Sequence, residues 1–283
     1  MILLAGAAGT LGGAVARALK REDLKFIAID VNADKLKTIE GLAEKTAVCD
    51  MSKKESLSGI LKGVKTVIST VGLQRESENV TYMDVDFQGN KNLLDEAKAQ
   101  GAEQFIYVSA LATKEDAPRK VHQAKWLMEC ALRDSGMNYT IFRPSGFMTD
   151  YIWYFGKEMK SKDTFEILGT GEMKVQPIHI DDLGTCIAKA VENKKAYNKA
   201  FPVGGPEQMT LNQILEFYQE FFNRNVHIVR TPLEEAEKRG MPKDFLLRMK
   251  TDSVCDITDV KNTFGLKFRS LKDCVKEVDW SKV

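Results

Sequence analysis

A glycine-rich run near the start of the chain combines residue types and spacing that suit phosphate binding. Residues 6–12 read Gly-Ala-Ala-Gly-Thr-Leu-Gly and stand between an apolar stretch and an alanine-rich segment that begins near Thr10. Between a strand and a helix, such glycines permit a tight turn, close approach of the backbone to a pyrophosphate, and close helix–strand packing. The helix N-terminus then offers unpaired N–H groups and partial positive charge to an anion. The run predicts a dinucleotide site, and the alternative is a glycine-rich turn that binds nothing. The expected contacts are Gly6, Ala8, Gly9, Thr10, Leu11 and Gly12.

A carboxylate follows the next predicted strand, which ends at Asp30. At a distance of about 20 residues from the glycine run, a carboxylate can hydrogen-bond the adenosine ribose. A 2′-phosphate there would be repelled by the like charge, so Asp30 favours NAD over NADP. NADP stays open because Lys35 or Lys37 could compensate. The alternative is that Asp30 is a solvated loop carboxylate or a cap of the helix beginning near Ala33.

Further candidates follow the third and fourth predicted strands. Asp50 and Met51 come after the third strand, and residues 70–72 come after the fourth. Open α/β sheets bind ligands at the carboxyl ends of their strands. Asp50 could accept a hydrogen bond from an adenine amino group, or it could simply cap the helix that starts near Lys53. Gly72 would let the chain pass close to a cofactor. The residues predicted after the fourth strand are Thr70, Val71 and Gly72.

A parallel sheet is needed to bring these groups to one edge, and the first half of the chain predicts one. Short apolar runs alternate with longer amphipathic segments, which is typical of parallel strands joined by crossover helices. The clearest helices are Tyr82–Gln100 and Val121–Ser135. The expected fold class is α/β, a Rossmann-type doubly wound parallel sheet. The predicted strands are Met1–Ala5, Phe26–Ile29, Lys45–Val48, Thr66–Ser69, Gln104–Val108 and Asn138–Phe142.

The regular alternation ends after Arg143-Pro144. A strand near Val175–Ile178 and a helix over Asp181–Glu192 are predicted to rejoin the first domain. We expect a dinucleotide-binding domain over residues 1–150, joined again by residues 175–200. A smaller, mostly helical substrate lobe is expected from residues 151–174 and 201–283. Aromatic residues near this boundary either wall a substrate pocket or pack the lobe. They are Phe147, Tyr151, Trp153, Tyr154 and Phe155.

The composition favours a small-molecule ligand. Lysine plus arginine number 41 against 40 for aspartate plus glutamate, so nothing predicts a nucleic-acid or membrane partner. The five cysteines are odd in number and form no C-x-x-C pair, which argues against disulfides and zinc and favours a reducing, cytoplasmic setting. Three scattered histidines without an H-E-x-x-H motif predict no catalytic metal. No run reaches the roughly 18 apolar residues of a membrane helix.

Several of these segments resemble the short-chain dehydrogenase/reductase superfamily, namely residues 6–12, 86–94 and 105–109. Others resemble its atypical NmrA-like or isoflavone-reductase-like branch, namely residues 125–126, 138–144, 177–182 and 204–206. The resemblance spans residues 1 to 220 and implies an NAD(P)-binding fold. Members of this branch include isoflavone-reductase-like enzymes, quinone reductases, redox-sensing regulators and assembly factors, so the fold transfers better than the function.

The resemblance also exposes a departure at the usual proton donor. In typical members a tyrosine stands four residues before the active-site lysine, and here that position is Val121, which has no titratable proton. A positioned acid supplies about 10² to 10⁴-fold of rate. Lys125 matches the lysine itself, and could bind the nicotinamide ribose or, if burial lowers its pKa, polarise a carbonyl. The alternative is one more solvated helix lysine.

Other candidates rest on the resemblance or on helical spacing. Ser109 matches the family serine that hydrogen-bonds substrate. His122 shares a helical face with Lys125 and could serve as a general acid, or it is a surface histidine. The loop that contains Pro144, Ser145 and Phe147 borders the nicotinamide in the resembled family, unless it is only a turn forced by proline.

These observations favour an NAD(P)-dependent oxidoreductase that moves hydride between nicotinamide and a small carbonyl, enone or quinone compound. The main alternative is a non-catalytic binding protein that senses the redox state of the dinucleotide, which Val121 favours. Epimerase or dehydratase chemistry on a nucleotide sugar is weaker because it normally uses the missing tyrosine. We expect a monomer or homodimer with a small-molecule substrate.

Overall fold

The apolar runs of the sequence form strands, most of which belong to one sheet. The computed structural model describes residues 1–282. Its strands are β1 (Ile2–Ala5), β2 (Phe26–Asp30), β3 (Lys45–Val48), β4 (Thr66–Ser69), β5 (Gln104–Val108), β6 (Asn138–Pro144), β7 (Thr164–Leu168), β8 (Lys174–Val175), β9 (Lys199–Val203), β10 (Met209–Thr210) and β11 (His227–Thr231). The first six lie within two residues of the predicted bounds. In contrast, β7 and β11 pair in parallel within a region that we expected to be mostly helical or loop.

The main sheet has seven strands in the order β3-β2-β1-β4-β5-β6-β9. Every pairing from β3 through β6 is parallel. The chain runs outward from β1 to β3, then crosses to β4 and runs outward on the other side. This is the doubly wound, Rossmann-type sheet predicted from the sequence, and the order reverses between β1 and β4. Sheets of this kind bind ligands at that reversal, beyond the carboxyl ends of the strands.

Helices connect most of these strands along the chain. They are α1 (Thr10–Arg21), α2 (Ala33–Leu36), α3 (Asn90–Ala99), α4 (Lys120–Asp134), α5 (Met148–Asp150), α6 (Lys157–Ser161), α7 (Ile180–Ala190), α8 (Leu211–Phe222), α9 (Leu233–Lys238), α10 (Lys243–Arg248), α11 (Thr258–Phe264) and α12 (Leu271–Glu277). The predicted helix over residues 82–100 is in fact a π-helical segment, Met83–Gly89, that continues into α3. Within residues 1–282 no helix is both long and apolar enough to cross a membrane.

The small residues of α1 allow close packing. Its buried face includes Ala14 and Ala18, and it packs against α7 at Gly184. A Cβ atom at Gly184 would lie 2.9 Å from the carbonyl oxygen of Ala14, so no larger residue fits there. An ion pair between Arg17 and Asp181, 2.7 Å apart, closes the exposed edge of this contact. The contact fixes α1, and with it the glycine loop that precedes it.

The chain divides into two compact units. The first unit consists of Met1–Arg143, Ile180–Pro202 and Thr258–Leu266, and the second consists of Pro144–His179, Val203–Ile257 and the chain from Lys267. The first boundary therefore falls at Arg143, where we expected residue 150. In addition, α11 belongs to the first unit, whereas we expected all of residues 201–283 in the smaller lobe.

An aromatic cluster explains why α11 returns to the first unit. The ring of Phe264 lies 5.6 Å from that of Phe142 and 5.3 Å from that of Phe201, centroid to centroid. All three side chains are buried, and rings at such separations attract one another beyond simple burial of area. One phenylalanine in a short polar helix gives no periodic pattern, so the sequence does not reveal this return.

Candidate functional site

The glycine loop has the backbone geometry that its sequence predicts. Gly6 has φ +75°, a conformation that side-chain-bearing residues rarely adopt. Its N–H donates to the carbonyl of Ile29 at 3.0 Å, while its own carbonyl accepts from Gly9 N–H at 3.0 Å. A Cβ atom at Gly12 would overlap the carbonyl oxygen of Gly6. Turn, loop and helix are therefore interlocked through glycine backbone.

The N-terminus of α1 faces a cleft. Gly9 is its N-cap, and no side chain of the described residues caps this end of the helix. The cleft beside it has a volume of about 750 Å³, a size typical of small-molecule sites. Uncapped N–H groups next to such a space suit the phosphates of a dinucleotide. The residues that line it include Ala8, Gly9, Thr10, Gly13, Arg17 and Lys35.

Asp30 braces the glycine loop. Its Oδ2 accepts the N–H of Ala8 and its Oδ1 accepts the N–H of Asn32, each at 3.0 Å. The N-cap of α2 is Asn32, whose side chain accepts from Lys35 N–H, so Asp30 is not the cap. Each carboxylate oxygen retains a second lone pair, which leaves Asp30 able to accept from a ribose hydroxyl.

Asp50 and Met51 occupy the end of β3 in different ways. The Asp50 carboxylate accepts from the hydroxyl and N–H of Ser52, at 2.6 and 3.1 Å, and lies 3.4 Å from Lys53 Nζ. The Ser52 hydroxyl is the main reason that the pKa of Asp50 is lowered. The alternative that Asp50 caps the next helix does not hold, because the following 3₁₀ turn has Lys53 as its N-cap. Met51 buries its side chain in the core, and only its backbone stands at this edge.

The loop after β4 interlocks with the glycine loop. Thr70 donates its hydroxyl to the carbonyl of Ala5 at 3.0 Å, and a Cβ at Gly6 would lie 2.9 Å from Thr70 Oγ1. Val71 follows, and its N–H donates to Ser69 Oγ at 3.3 Å. Within the first unit, the structure thus brings the predicted residues after β1 and β4 into direct contact.

Two asparagines of α3 hold these loops, and the sequence analysis did not single them out. Asn90 donates to the carbonyls of Val85 and Asp86, both at 3.1 Å, and accepts from the Ser69 hydroxyl at 2.5 Å. It thereby satisfies carbonyls of the π-helical segment. Asn92 donates to the carbonyl of Met51 at 3.0 Å. One helix therefore anchors the loops after both β3 and β4.

Lys125 is buried, not solvated. Its Nζ lies 3.0 Å from Asp86 Oδ1, donates to the carbonyl of Val108 at 3.3 Å, and stands 5.4 Å from the ring centroid of Tyr107. Burial by itself would lower the pKa of Lys125, but Tyr107 and Asp86 outweigh it and raise that pKa above its ordinary value. The condition under which we expected Lys125 to polarise a carbonyl, a pKa lowered by burial, is therefore not met. The geometry instead makes Lys125 a fixed cation.

Asp86 and Tyr107 are site residues that the sequence reasoning missed. Both have no exposed surface. Burial raises the pKa of the Tyr107 hydroxyl to about 12, so it stays protonated near neutral pH. Asp86 lies near the start of the predicted helix over residues 82–100, and its resemblance to the superfamily in residues 86–94 was the available signal.

Ser109 is engaged in a buried network. Its hydroxyl donates to Glu129 Oε1 at 2.6 Å, and Glu129 has no exposed surface. Glu129 also accepts from Arg143 Nε at 2.9 Å and from Arg133 Nη2 at 2.7 Å. The network joins β5, α4 and the end of β6. In this arrangement Ser109 supports the strand ends, and its predicted contact with substrate stays a prediction.

This network predicts a large stability effect. Changing Glu129 to Gln places an amide N–H₂ against arginine donors and removes the buried negative charge that Arg133 and Arg143 contact, which costs about 1 to 3 kcal/mol of unfolding free energy. Urea unfolding measures this. The control is Glu103→Gln, which removes an exposed pair with Lys65 and should leave the urea midpoint nearly unchanged. Equal midpoints for the two variants would contradict the role assigned to Glu129.

Val121 and His122 lie in the first turn of α4, on the side of the helix that carries Lys125. Val121 packs in a small apolar cluster with Tyr82 and Ala124, so the position of the missing tyrosine is filled by core packing. His122 is also buried, at 8% exposure, and is not a surface histidine. Its role as a general acid stays a prediction. Within residues 1–282 no group of three or more His, Cys, Asp and Glu side chains could hold a metal ion.

The remaining predicted residues lie in the second unit. Ser145 donates its N–H to Val203 O at 2.9 Å and its hydroxyl to Gln176 O. Pro144 ends β6, and Phe147 precedes α5 and is half-buried. Of the nearby aromatic residues, Tyr151 and Phe155 pack in the core of this unit, as one of our alternatives stated. Trp153 and Tyr154 are exposed at 54% and 61%.

Comparison with known proteins adds three findings. The profile of the NmrA-like family matches residues 1–280. The chain is 27% identical over 236 residues to a photosystem II assembly factor of Cyanophora paradoxa, covering 83% of this chain and 73% of that protein. It is 27% identical over 249 residues to an NAD(P)H azoreductase of Xenophilus azovorans, covering 86% and 82%.

Solved structures agree on the fold. The NADPH complex of an NADPH-dependent quinone oxidoreductase from Escherichia coli superposes with a TM-score of 0.79 over 98% of this chain and 99% of that one. The two sequences are 20% identical, and at this level the likeness shows the fold alone.

Proposed function

The chain belongs to the NmrA-like family, and from that premise we propose that it is an NAD(P)-dependent reductase. Hydride would pass between the nicotinamide and a small carbonyl, enone or quinone compound. The observation that carries this proposal is the buried, charge-paired Lys125 in the unit whose glycine loop and uncapped α1 suit a dinucleotide. A relative named as an NAD(P)H azoreductase supports it.

The first unit offers a place for each part of the dinucleotide. Backbone N–H groups of Thr10 and Leu11, in the first turn of α1, would bind the pyrophosphate, and Asp30 would accept from the adenosine ribose. Gly72 lets the chain approach the ligand without a side chain, and Lys125 would donate to the nicotinamide ribose. The contacts that we proposed for Pro144, Ser145 and Phe147 belong to the same hypothesis.

The chemistry suits acceptors that do not need a strong protein acid. The bound nicotinamide supplies the hydride. Lys125 keeps its proton because its pKa is raised, and Val121 has none to give. Hydride addition to a quinone yields a delocalised hydroquinone monoanion that takes up one proton, which water can supply, whereas a simple ketone yields a far more basic alkoxide. A fixed ammonium donor stabilises the first without transferring a proton. We therefore place quinones first among the substrates, and His122 is the candidate acid for carbonyls.

A second function is favoured by one observation. Val121 is packed into an apolar cluster where catalysis would place a tyrosine, and a protein that only binds the dinucleotide would tolerate this. A relative is named as an assembly factor. In this alternative, differential affinity of two protein states for oxidised and reduced dinucleotide would carry the function.

A two-step experiment separates these functions. Calorimetry with NAD, NADH, NADP and NADPH tests binding, and loss of reduced-cofactor absorbance with quinones, enones and aldehydes then tests turnover. Turnover with quinones supports the reductase. Tight binding without turnover on any acceptor supports the regulatory protein, and no binding of any of the four dinucleotides sinks both.

Cofactor preference should depend on Asp30. Replacing Asp30 with Ala removes the ribose acceptor and the repulsion of a 2′-phosphate, so the ratio of the NADPH to the NADH dissociation constant should fall about tenfold, the equivalent of 1.4 kcal/mol. The variant also loses the brace on Ala8. Because that loss weakens both ligands, the ratio and not either affinity is the measurement. An unchanged ratio would contradict the role of Asp30.

A further inference from the structure

A buried carboxylate beneath the loop after β4 has no place in the function described so far. Asp86 has no exposed surface, and it lies in the π-helical segment Met83–Gly89. Its Oδ1 lies 3.0 Å from Lys125 Nζ, and its Oδ2 accepts the N–H of Leu73 at 3.0 Å. One carboxylate thus contacts both the lysine and the loop that the proposed function assigns to the dinucleotide.

The contact lies directly under the backbone of Gly72. A Cβ atom at Gly72 would lie 3.0 Å from Asp86 Oδ1 and 3.2 Å from Lys125 Nζ. Any side chain there would press on both charged groups. The absence of a side chain therefore lets the loop rest on the ion pair.

We propose that Asp86 is the positioning residue of this site, fixing the Lys125 ammonium and the loop at Gly72–Leu73 in one arrangement for the dinucleotide. This inference rests on the proposed function. Asp86 touches neither ligand nor reacting atoms and acts through Lys125 and the loop.

The backbone around Asp86 holds the carboxylate in place. Asn90 donates to the Asp86 carbonyl at 3.1 Å, and the Tyr107 hydroxyl donates to the same carbonyl at 3.4 Å. A π-helical turn widens the helix, and such turns concentrate at functional sites. Here the widened turn is secured from α3 and from β5, so the direction of Asp86 is set by several elements.

The charged groups around Lys125 determine its pKa, which can be measured. The groups that face it are Asp86 from the π-helical segment, and Tyr107 and the Val108 carbonyl from β5, while His122 lies one turn earlier on α4. Glu129 of α4 is the further carboxylate whose charge reaches Tyr107. Asp86 supplies the contacting negative charge. Tyr107 is protonated below its pKa of about 12 and contributes no negative charge there, so without Asp86 burial dominates and the pKa of Lys125 falls, because a desolvated ammonium favours its neutral form.

Lys125 should lose its charge at a lower pH in Asp86→Asn than in the unchanged protein. In the unchanged protein the pKa of Lys125 is raised, so the lysine stays charged throughout the ordinary pH range. In Asp86→Asn the charge is lost as pH rises through the lowered pKa, and hydrogen bonding to the dinucleotide weakens there. We expect the Lys125 pKa to fall at least about one unit below the ordinary value of about 10.4.

The experiment uses the full chain with carbon-13-labelled lysine side chains. The Lys125 resonance is assigned by its disappearance in Lys125→Arg and is followed by NMR from about pH 6 to about pH 11, a range that spans the ordinary lysine value. Dissociation constants for NADH and NADPH are measured in parallel. The matched control is Asp95→Asn, which removes the exposed ion pair with Lys91.

In Asp86→Asn, Lys125 should lose its proton at a lower pH than in the unchanged protein. Above that new pKa the variant should bind dinucleotide at least about tenfold more weakly than the unchanged protein, whereas near pH 6 the two affinities should agree within about threefold. Asp95→Asn should match the unchanged protein. A Lys125 signal and an affinity profile that are the same in Asp86→Asn and the unchanged protein would overturn the inference.

A second variant keeps the inference testable if Asp86→Asn does not fold. Gly72→Ala places a methyl group against the ion pair and should shift the Lys125 signal and weaken binding in the same direction. An unshifted signal with unchanged affinity again overturns the inference. If the unchanged protein binds none of the dinucleotides, the proposed function fails, whereas the titration of Lys125 still reports on Asp86.

Discussion

Replacement of Gly12 with alanine is expected to abolish dinucleotide binding. The new methyl group would overlap the Gly6 carbonyl oxygen, and the atoms it meets are backbone, which cannot swing aside as a flexible side chain would. The glycine loop must therefore move away from α1, which separates the N–H groups that would grip a pyrophosphate. Calorimetry should show an affinity loss of about 100-fold or more, equivalent to about 2.7 kcal/mol.

The neighbouring glycine provides a matched control. Gly13 is also buried in α1, but a Cβ there would meet only Arg17 Nη1 at 3.6 Å and Ile39 Cδ1 at 3.9 Å, which are ordinary contacts. Alanine is favoured over glycine by about 1 kcal/mol inside a helix, so Gly13→Ala should be at least as stable as the unchanged protein, whereas the clash at Gly12 should lower the stability of Gly12→Ala. If Gly12→Ala binds dinucleotide as tightly as the unchanged protein, the glycine loop is not the phosphate site.

Replacement of Lys125 with methionine is expected to lower both the turnover rate and the free energy of unfolding. Loss of a fixed donor at a reacting site costs about 10² to 10³-fold in rate. Methionine also leaves the Asp86 carboxylate buried without its cation, and removing one partner of a buried pair costs about 3 to 5 kcal/mol. Steady-state kinetics and urea unfolding measure the two effects.

A double variant separates those effects. Lys125→Met combined with Asp86→Asn removes the unpaired charge, so much of the lost stability should return while turnover stays low. A double variant that regains turnover together with stability would show that Lys125 has no part in the reaction. A double variant as unstable as Lys125→Met would show that the Asp86 charge does not cause the instability.

Sequence reasoning succeeded where the physical cause is local. Three of the predicted strands, β3, β4 and β5, have the predicted bounds, because short apolar runs between turn residues allow few alternatives. The geometry of the glycine loop was also predictable, since Gly6 needs a positive φ and Gly12 needs the absence of a Cβ. Each of these requirements depends only on a single residue and its immediate neighbours in the chain.

It failed where the cause is a contact between distant segments. The partner of Lys125 is Asp86, which stands 39 positions earlier, and nothing in the spacing of the two indicates an ion pair. The network of Ser109 depends on Glu129 and Arg143, each unremarkable on its own helix or strand. The pairing of β7 with β11 is likewise set by tertiary packing rather than by a strong local pattern.

The two asparagines of α3 have a consequence for ligand entry. Asn90 donates to the carbonyl of Val71 in the loop after β4 at 3.4 Å, and Asn92 donates to the carbonyl of Met51 in the loop after β3, so the two loops share one helix as support. Their ordering entropy is lost when the protein folds, not when a ligand arrives. A molecule that enters this edge of the sheet therefore meets a preorganised surface, and association is limited by how it reaches that surface rather than by rearrangement of the loops.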